Sequence, residues 1–244
     1  MVARGEDLRR KAGPVSLDFL SAGAAQGLVA KFARAQGIEV AGSFGAVGAM
    51  LERFLAGESC DVVILTRAQI EGLAAKGAIV GGTQGDLGAA PTALAVRAGA
   101  DVPDVRDESS LRATLLAADA IYFPDPAMAT AGIHFAKVLD LLGIRAALAA
   151  RVKNFPNGTA AMKAMGEAAG QPIGCTQATE ILAMPSVRLV APLPKGFDLA
   201  TVYTAAVSTN APHRAEAEAF VRTLVSAEST NERRAAGFEC EMRT

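Results

Sequence analysis

Two serines, Ser21 and Ser43, each close an apolar stretch and run into small residues just before an amphipathic segment. The two junctions read Ser21-Ala22-Gly23 and Ser43-Phe44-Gly45. A helix starting there has backbone N–H groups with no partner inside the helix and the positive end of its macrodipole, which together favour an anion. Two such starts at neighbouring strand ends could grip one small anion from two sides. The plainer role for either serine is an N-cap, and the same pair of readings holds for Thr130 and Thr159. Gly45 and Gly158 either set turn geometry or let a ligand approach the backbone. Asn157-Gly158-Thr159 reads as the cap of a helix over 160–169. Arg67 follows the run VVIL and Thr66, at the carboxyl end of a strand, where open α/β sheets bind ligands. A guanidinium there suits a carboxylate, with a solvated surface arginine as the alternative. Three further groups could serve as a general base, which must be a carboxylate or imidazole within hydrogen-bond reach. They are Asp125 between two prolines, His134 in the first turn of a helix, and Glu180 at a helix start three residues after Gln177. Their plainer roles are fixing a turn, packing or capping, and complementing a helix dipole. His213 belongs to a remote loop, and Arg97 reads as structural or exposed.

The elements that must position these groups alternate along the chain. Strand 15–20 leads to helix 24–36, strand 38–41 to helix 46–56, and strand 61–65 to helix 68–76, the βαβ grammar of a parallel sheet covered on both faces. The stretch 81–91 breaks this pattern, and 92–97 reads as a longer strand. A second unit follows, with helix 108–117, strand 120–123, helix 131–142, helix 146–152, strand 152–155, helix 160–169, strand 173–176 and strand 187–191. Apolar Ile133, Ala136, Leu139 and Leu142 lie at helical spacing, so that face is core. Strand 202–207 precedes two helices, 214–226 and 229–236, whose apolar faces need a sheet to cover. The first unit, with three strands, is the one in need of cover. The fold class is therefore α/β with two lobes, the first 15–91 plus 204–244 and the second 92–203, joined by two crossovers that form a hinge. Residues 1–14 form an N-terminal tail.

Composition narrows the function classes. The chain has 244 residues, 51% of them hydrophobic, with 5% aromatics and no tryptophan; this suits closely packed helices on a sheet better than a β-sandwich. A formal net charge of −1 gives no field for nucleic acid or acidic lipid. The run GSFGAVG is not GxGxxG, and neither GxxxxGK[ST] nor GxSxG occurs. With two distant histidines, no metal is expected, nor any cofactor. Cys60, Cys175 and Cys240 lack metal or CxxC spacing and read as buried or incidental thiols, although a Cys60–Cys240 bridge is conceivable. No run reaches the length of a membrane span. Residues 1–14 are charged with no apolar h-region, so no signal peptide is visible; the chain is cytosolic or its leader is missing.

A two-lobed α/β chain with two crossovers and helix starts facing the cleft resembles the periplasmic-type solute-binding proteins of type II fold. More narrowly it resembles their molybdate-binding branch, through SAG after the first strand, SFGAVGAM, LAGESCDVVIL, and Asp125-Pro126 followed by ATAGIHFAKVL. The resemblance covers nearly the whole chain after Pro14. Molybdate binders usually carry a tyrosine where this chain has Cys175, Thr176 and Gln177, and a second hydroxyl where it has Ala22 and Gly23. The phrases ILTRAQI, LAVRAGA, DPAMATAGIHFAKVL and QATEIL are closer to a divergent group of the family that includes aconitate isomerase-like enzymes.

The strand-end reading and the resemblance together mark Ser21, Ala22, Gly23, Ser43, Phe44, Gly45, Arg67, Met128, Thr130, Asn157, Gly158, Thr159 and Gln177 as ligand contacts. Asp125, His134 and Glu180 are the acid–base candidates if the chain is an enzyme. The resemblance implies a monomer that captures a small anion, a di- or tricarboxylate or an oxyanion such as molybdate, with ABC-type transporter subunits as partners. It also implies a periplasmic location. Two alternatives stay open: an aconitate isomerase-like enzyme, and a cytosolic ligand-sensing domain.

Overall fold

Strand β1 (Ser16–Ala22) lies between two parallel neighbours, and its apolar residues are sealed on both faces. The computed structural model describes residues 15–240. A 3₁₀ turn, Gly23–Ala25, leads into α1 (Gln26–Gln36), which Gly37 ends in the left-handed conformation. Strand β2 (Glu39–Gly45), α2 (Val47–Leu55), β3 (Val62–Thr66) and α3 (Arg67–Ala75) complete the first βαβ run. Strand β4 (Gly85–Arg97) opens the second unit, followed by α4 (Glu108–Ala117), β5 (Ile121–Pro124), α5 (Thr130–Leu141) and α6 (Arg145–Leu148). Then come β6 (Val152–Phe155), α7 (Gly158–Gly166), β7 (Ile173–Gln177), α8 (Ala178–Leu182) and β8 (Val187–Pro192). The chain closes with β9 (Ala200–Val207), α9 (Arg214–Leu224) and α10 (Thr230–Ala235).

The strand order is β2-β1-β3-β9-β4-β7-β5-β6, with β8 also on β4. Strand β4 explains how one path serves two lobes. Its residues Gly85–Pro91 pair with β9, whereas Thr92–Arg97 pair with β7 and β8. Each lobe thus repeats one plan: parallel strands on one side, β2-β1-β3 or β6-β5-β7, and an antiparallel crossing strand next to the third. The stretch 81–91, read as a break, is largely strand. Gly88, at φ 132°, sits where the β4–β9 register shifts, so the glycine marks a bulge rather than an end. The return strand likewise begins at Ala200, ahead of the boundary inferred from the sequence.

Helix α9 covers the first lobe, where Phe220 meets Phe19 edge-on with ring centroids 5.5 Å apart. The second lobe buries apolar side chains on both faces of its sheet, one face built around Phe123, Phe135 and Leu139 and the other around Tyr122, Met162 and Met165. Cys60, Cys175 and Cys240 are all free; the Cys240 thiol donates instead to the Leu87 carbonyl at 3.4 Å. Among the described residues, no helix is long and apolar enough to cross a membrane. The sequence expectations for residues 1–14 and 241–244 lie outside the described residues.

Candidate functional site

The carboxyl ends of β1, β2, β5 and β7 meet the crossing strand β9 at one narrow cavity between the lobes. From the first lobe it is lined by Ala22, Gly23, Ala24, Gly45, Ala46 and Val47. From the second come Pro124, Ala129, Thr130, Ala131, Asn157, Gly158, Thr176, Gln177 and Glu180, with Tyr203 from β9. The lobes are shut on one another: the Gly48 N–H donates to the Met128 carbonyl at 3.1 Å across the cleft. About 20 Å³ of free space remains, room for about one water molecule.

Helix starts dominate this lining. The 3₁₀ turn and helices α2, α5 and α8 begin after Ala22, Ala46, Ala129 and Gln177, none of which makes a side-chain cap. By contrast, α3 and α4 begin with full capping boxes, Thr66 with Gln69 and Asp107 with Ser110. An uncapped first turn leaves N–H donors that must find water or a ligand, and here those turns open onto a cavity with room for little water.

Helix α7 is the exception. Asn157 Oδ1 accepts from the Ala160 N–H at 2.8 Å, and the Gly158 and Thr159 N–H groups are directed toward Glu180. That carboxyl is only 7% exposed. Its Oε2 accepts from the Thr176 hydroxyl at 2.5 Å, and the Gly158, Thr159 and Gln177 N–H groups are directed toward it. Its other oxygen faces the first lobe, where a Cβ built on Gly23 would lie 2.6 Å from Oε1. Burial pushes the Glu180 carboxyl above its ordinary value, against the opposing pull of the Thr176 hydroxyl and the three N–H donors.

Tyr203 stands beside it, buried on β9. With the Gln177 amide oriented to satisfy both ends, its nitrogen donates to the Ala90 carbonyl at 2.8 Å and its oxygen accepts from the Tyr203 hydroxyl at 3.3 Å. Gln177 therefore ties the second lobe to the crossing strand. Burial, then the nearby Glu180 charge, push the Tyr203 hydroxyl well above its usual range.

The structure brings Ala22, Gly23, Gly45, Thr130, Asn157, Gly158, Gln177 and Glu180 together at the cavity, with Thr159 next to them in the first turn of α7. Other marked residues lie elsewhere for clear reasons. Strand β2 runs to Gly45, so Ser43 is inside the strand and the helix start falls at Ala46 and Val47. Phe44 stacks on Phe19 at 6.0 Å. Ser21 is wholly buried and its hydroxyl donates to the Ala22 carbonyl at 3.0 Å. Arg67 forms an ion pair with Asp86, which also accepts from the Thr204 hydroxyl at 2.5 Å.

Asp125 Oδ1 accepts from the Ala127 and Met128 N–H groups at 2.6 and 3.2 Å and so builds its own turn. His134 Nε2 is 2.7 Å from the Phe197 carbonyl. With Met128 and Lys137 it lines an outer groove of about 440 Å³. The sequence did not single out Tyr203, whose place at the cavity depends on the crossover register. Nor did it single out Ala46, Val47, Ala129 or Ala131, which line the cavity at helix starts and carry no polar side chain. Among the described residues, no three His, Cys, Asp or Glu side chains gather closely enough to hold a metal ion.

A family model described as bacterial extracellular solute-binding protein matches residues 21–239. An aconitate isomerase from Pseudomonas sp is 27% identical over 180 residues, spanning 73% of this chain and 66% of that relative. Among solved structures, the Azotobacter vinelandii periplasmic molybdate-binding protein superposes with a TM-score of 0.72 at 20% identity, covering 93% of this chain and 100% of that one. A sulfate-binding protein from Mycobacterium tuberculosis gives 0.66 at 19% identity, covering 92% and 86%. These structural likenesses show a shared fold.

Proposed function

The chain belongs to the bacterial extracellular solute-binding protein family, and from that premise we propose that its two lobes close on one small anion for delivery to an ABC-type transporter in the periplasm. One observation carries the reading: uncapped helix starts from both lobes open onto a single cavity. Among the described residues no lysine, arginine or histidine lines that cavity, so recognition falls to neutral N–H donors and helix dipoles. Such donors are fixed in place before the ligand arrives and lose little entropy on binding. Closure removes water and strengthens each of these hydrogen bonds. The outer groove with His134 and Lys137 leaves room for the further carboxylates of a larger anion.

Glu180 favours a second reading, an isomerase on the same scaffold. A buried carboxyl whose proton affinity is raised, set against the ligand space, is the kind of group that can take a proton from a carbon next to a substrate carboxylate. In that reading the C–H bond breaks, its electrons form the new C=C bond, the old double bond shifts, and the proton returns at the far end of the allylic unit. Asp125 and His134 are both engaged outside the cavity, which leaves Glu180 as the base. The sequence kinship with an aconitate isomerase supports this reading. Proton NMR of the protein with trans-aconitate in deuterated buffer separates the two. Line broadening without conversion supports capture, whereas the cis isomer or deuterium exchange supports isomerisation. Absence of either effect, with no calorimetric binding of citrate, malate, sulfate or molybdate, would overturn both.

A further inference from the structure

Among the described residues lining the cavity, Glu180 is the only carboxyl group, and nothing cationic accompanies it. It lies against the Gly158, Thr159 and Gln177 N–H groups at two helix starts, beside Asn157, which already holds the Ala160 N–H. An anion that closes the lobes must therefore sit against a resident carboxyl, whose Oε1 faces the Gly23 turn. Two negative oxygens in a dry cleft repel, and the N–H donors cannot neutralise both. One proton between them turns that repulsion into a charge-assisted O–H···O hydrogen bond.

We infer that an anion enters this cleft together with one proton, which Glu180 carries and donates to the ligand. The inference rests on the capture reading above and deepens it by naming the residue that couples binding to proton uptake. Burial raises the Glu180 proton affinity above the ordinary carboxyl value, and closure over an anion raises it further. In chemical terms, the proton comes from solvent, adds to the Glu180 carboxylate, and stays shared with the ligand oxygen until the lobes open.

Other titratable groups around α8 are accounted for. Tyr203 on β9 has its hydroxyl pushed up by burial and already serves Gln177. On α1, Lys31 and Arg34 are exposed, as are Lys163 and Glu167 at α7 and Arg188 on β8. On β4, Asp86 is paired with Arg67, and the Arg97 guanidinium donates to the Gly170 carbonyl. The lining residues of the 3₁₀ turn, α2 and α5 carry no ionisable side chain, and Cys175 of β7 is a buried thiol whose pKa burial raises. His134 and Lys137 of α5 lie in the outer groove, so a proton taken up at His134 is the competing outcome.

The test is isothermal titration calorimetry at pH 7 in three buffers of different ionisation enthalpy, with molybdate, sulfate and trans-aconitate as probes. All three are essentially proton-free at that pH, so any proton taken up belongs to the protein. The expected result is uptake approaching about one proton per bound anion, with Kd rising by about tenfold per pH unit above the Glu180 pKa. The E180Q variant should bind with no uptake and a flat profile, at least about tenfold tighter than wild type at pH 8, because its amide donates without a proton. Clear wild-type binding with no proton uptake would overturn the inference while leaving capture intact. Undiminished uptake in E180Q would overturn it in the same way and move the proton to His134, which H134Q would then abolish. If E180Q does not fold, the wild-type buffer series decides alone. Failure of all three probes to bind either protein would sink the capture reading, and the inference with it.

Discussion

Replacing Gly158 with alanine puts the greatest strain on the arrangement described here for the least chemical change. The glycine opens α7 beneath Glu180, and a Cβ there would fall far inside contact with both Glu180 Oε2 and the Thr176 hydroxyl. Its φ is not positive, so the backbone itself accepts alanine and the effect is steric. Thr176 is fixed on β7 and cannot retreat, so the carboxyl must move and lose its N–H donors. Overpacking a buried site costs about 1–3 kcal/mol, and stranding the displaced carboxyl costs about 1–3 kcal/mol more. Alanine's better helix propensity returns less than about 1 kcal/mol. The net loss of roughly 2–5 kcal/mol corresponds, at about 2–4 °C per kcal/mol for a chain of this size, to a melting point lower by about 4–20 °C. Gly23→Ala is the milder companion. Its Cβ is crowded by the end of the Glu180 side chain alone, 2.6 Å from Oε1, with the Gly45 carbonyl at an ordinary 3.7 Å, so stability should fall by about 1 kcal/mol while ligand affinity falls more. Circular dichroism melts with calorimetry on both variants check this. A Gly158→Ala protein that melts within a degree of wild type and binds its ligand equally well would refute the placement of Glu180 over α7.

Tyr203→Phe removes the hydroxyl that Gln177 accepts from; denaturant titration should show a loss of about 1 kcal/mol, with weaker ligand binding. Gly48→Val places side-chain atoms where a Cβ alone would already lie 3.1 Å from the Met128 carbonyl of the other lobe. It should impede closure, lowering ligand affinity in calorimetry while the ligand-free melting point stays nearly constant. Arg67→Ala breaks a half-exposed pair with Asp86, so stability should change by less than about 1 kcal/mol and ligand affinity not at all. For pH, Glu180 is raised above its usual 4.5, so the folded state holds its proton longer than the unfolded chain. Its contribution to stability is complete below pH 4.5 and is lost as pH rises through the raised value. Melts of wild type and E180Q across this range should diverge, wild type losing stability relative to the variant as pH rises.

The βαβ grammar, both lobes and their crossovers were legible in the sequence because apolar runs such as VVIL at 62–65 and helical spacing in α5 record burial directly. The crossing segment was harder. Gly85, Gly88 and Pro91 look like breakers, yet they serve a bulge and the point where β4 changes partners, and only a partner strand reveals that use. At the site, glycine and asparagine at 157–158 were informative because close approach and capping demand those residue types. Ser43 misled because hydroxyls mark caps only where the strand ends, and β2 continues to Gly45 under pairing with β1. Ala46, Ala129 and Ala131 contribute backbone, which leaves no side-chain signature. Tyr203 is far in sequence from Gln177 and meets it only through the fold.

The central claim is that helix starts from both lobes hold one anion, and amide NMR tests it most directly. A ¹⁵N-labelled sample titrated with trans-aconitate, then with molybdate, should shift the Gly23, Ala46, Val47 and Ala131 amides downfield together at one common Kd. Shifts confined to one lobe, or centred on the His134 groove with those amides unmoved, would contradict it.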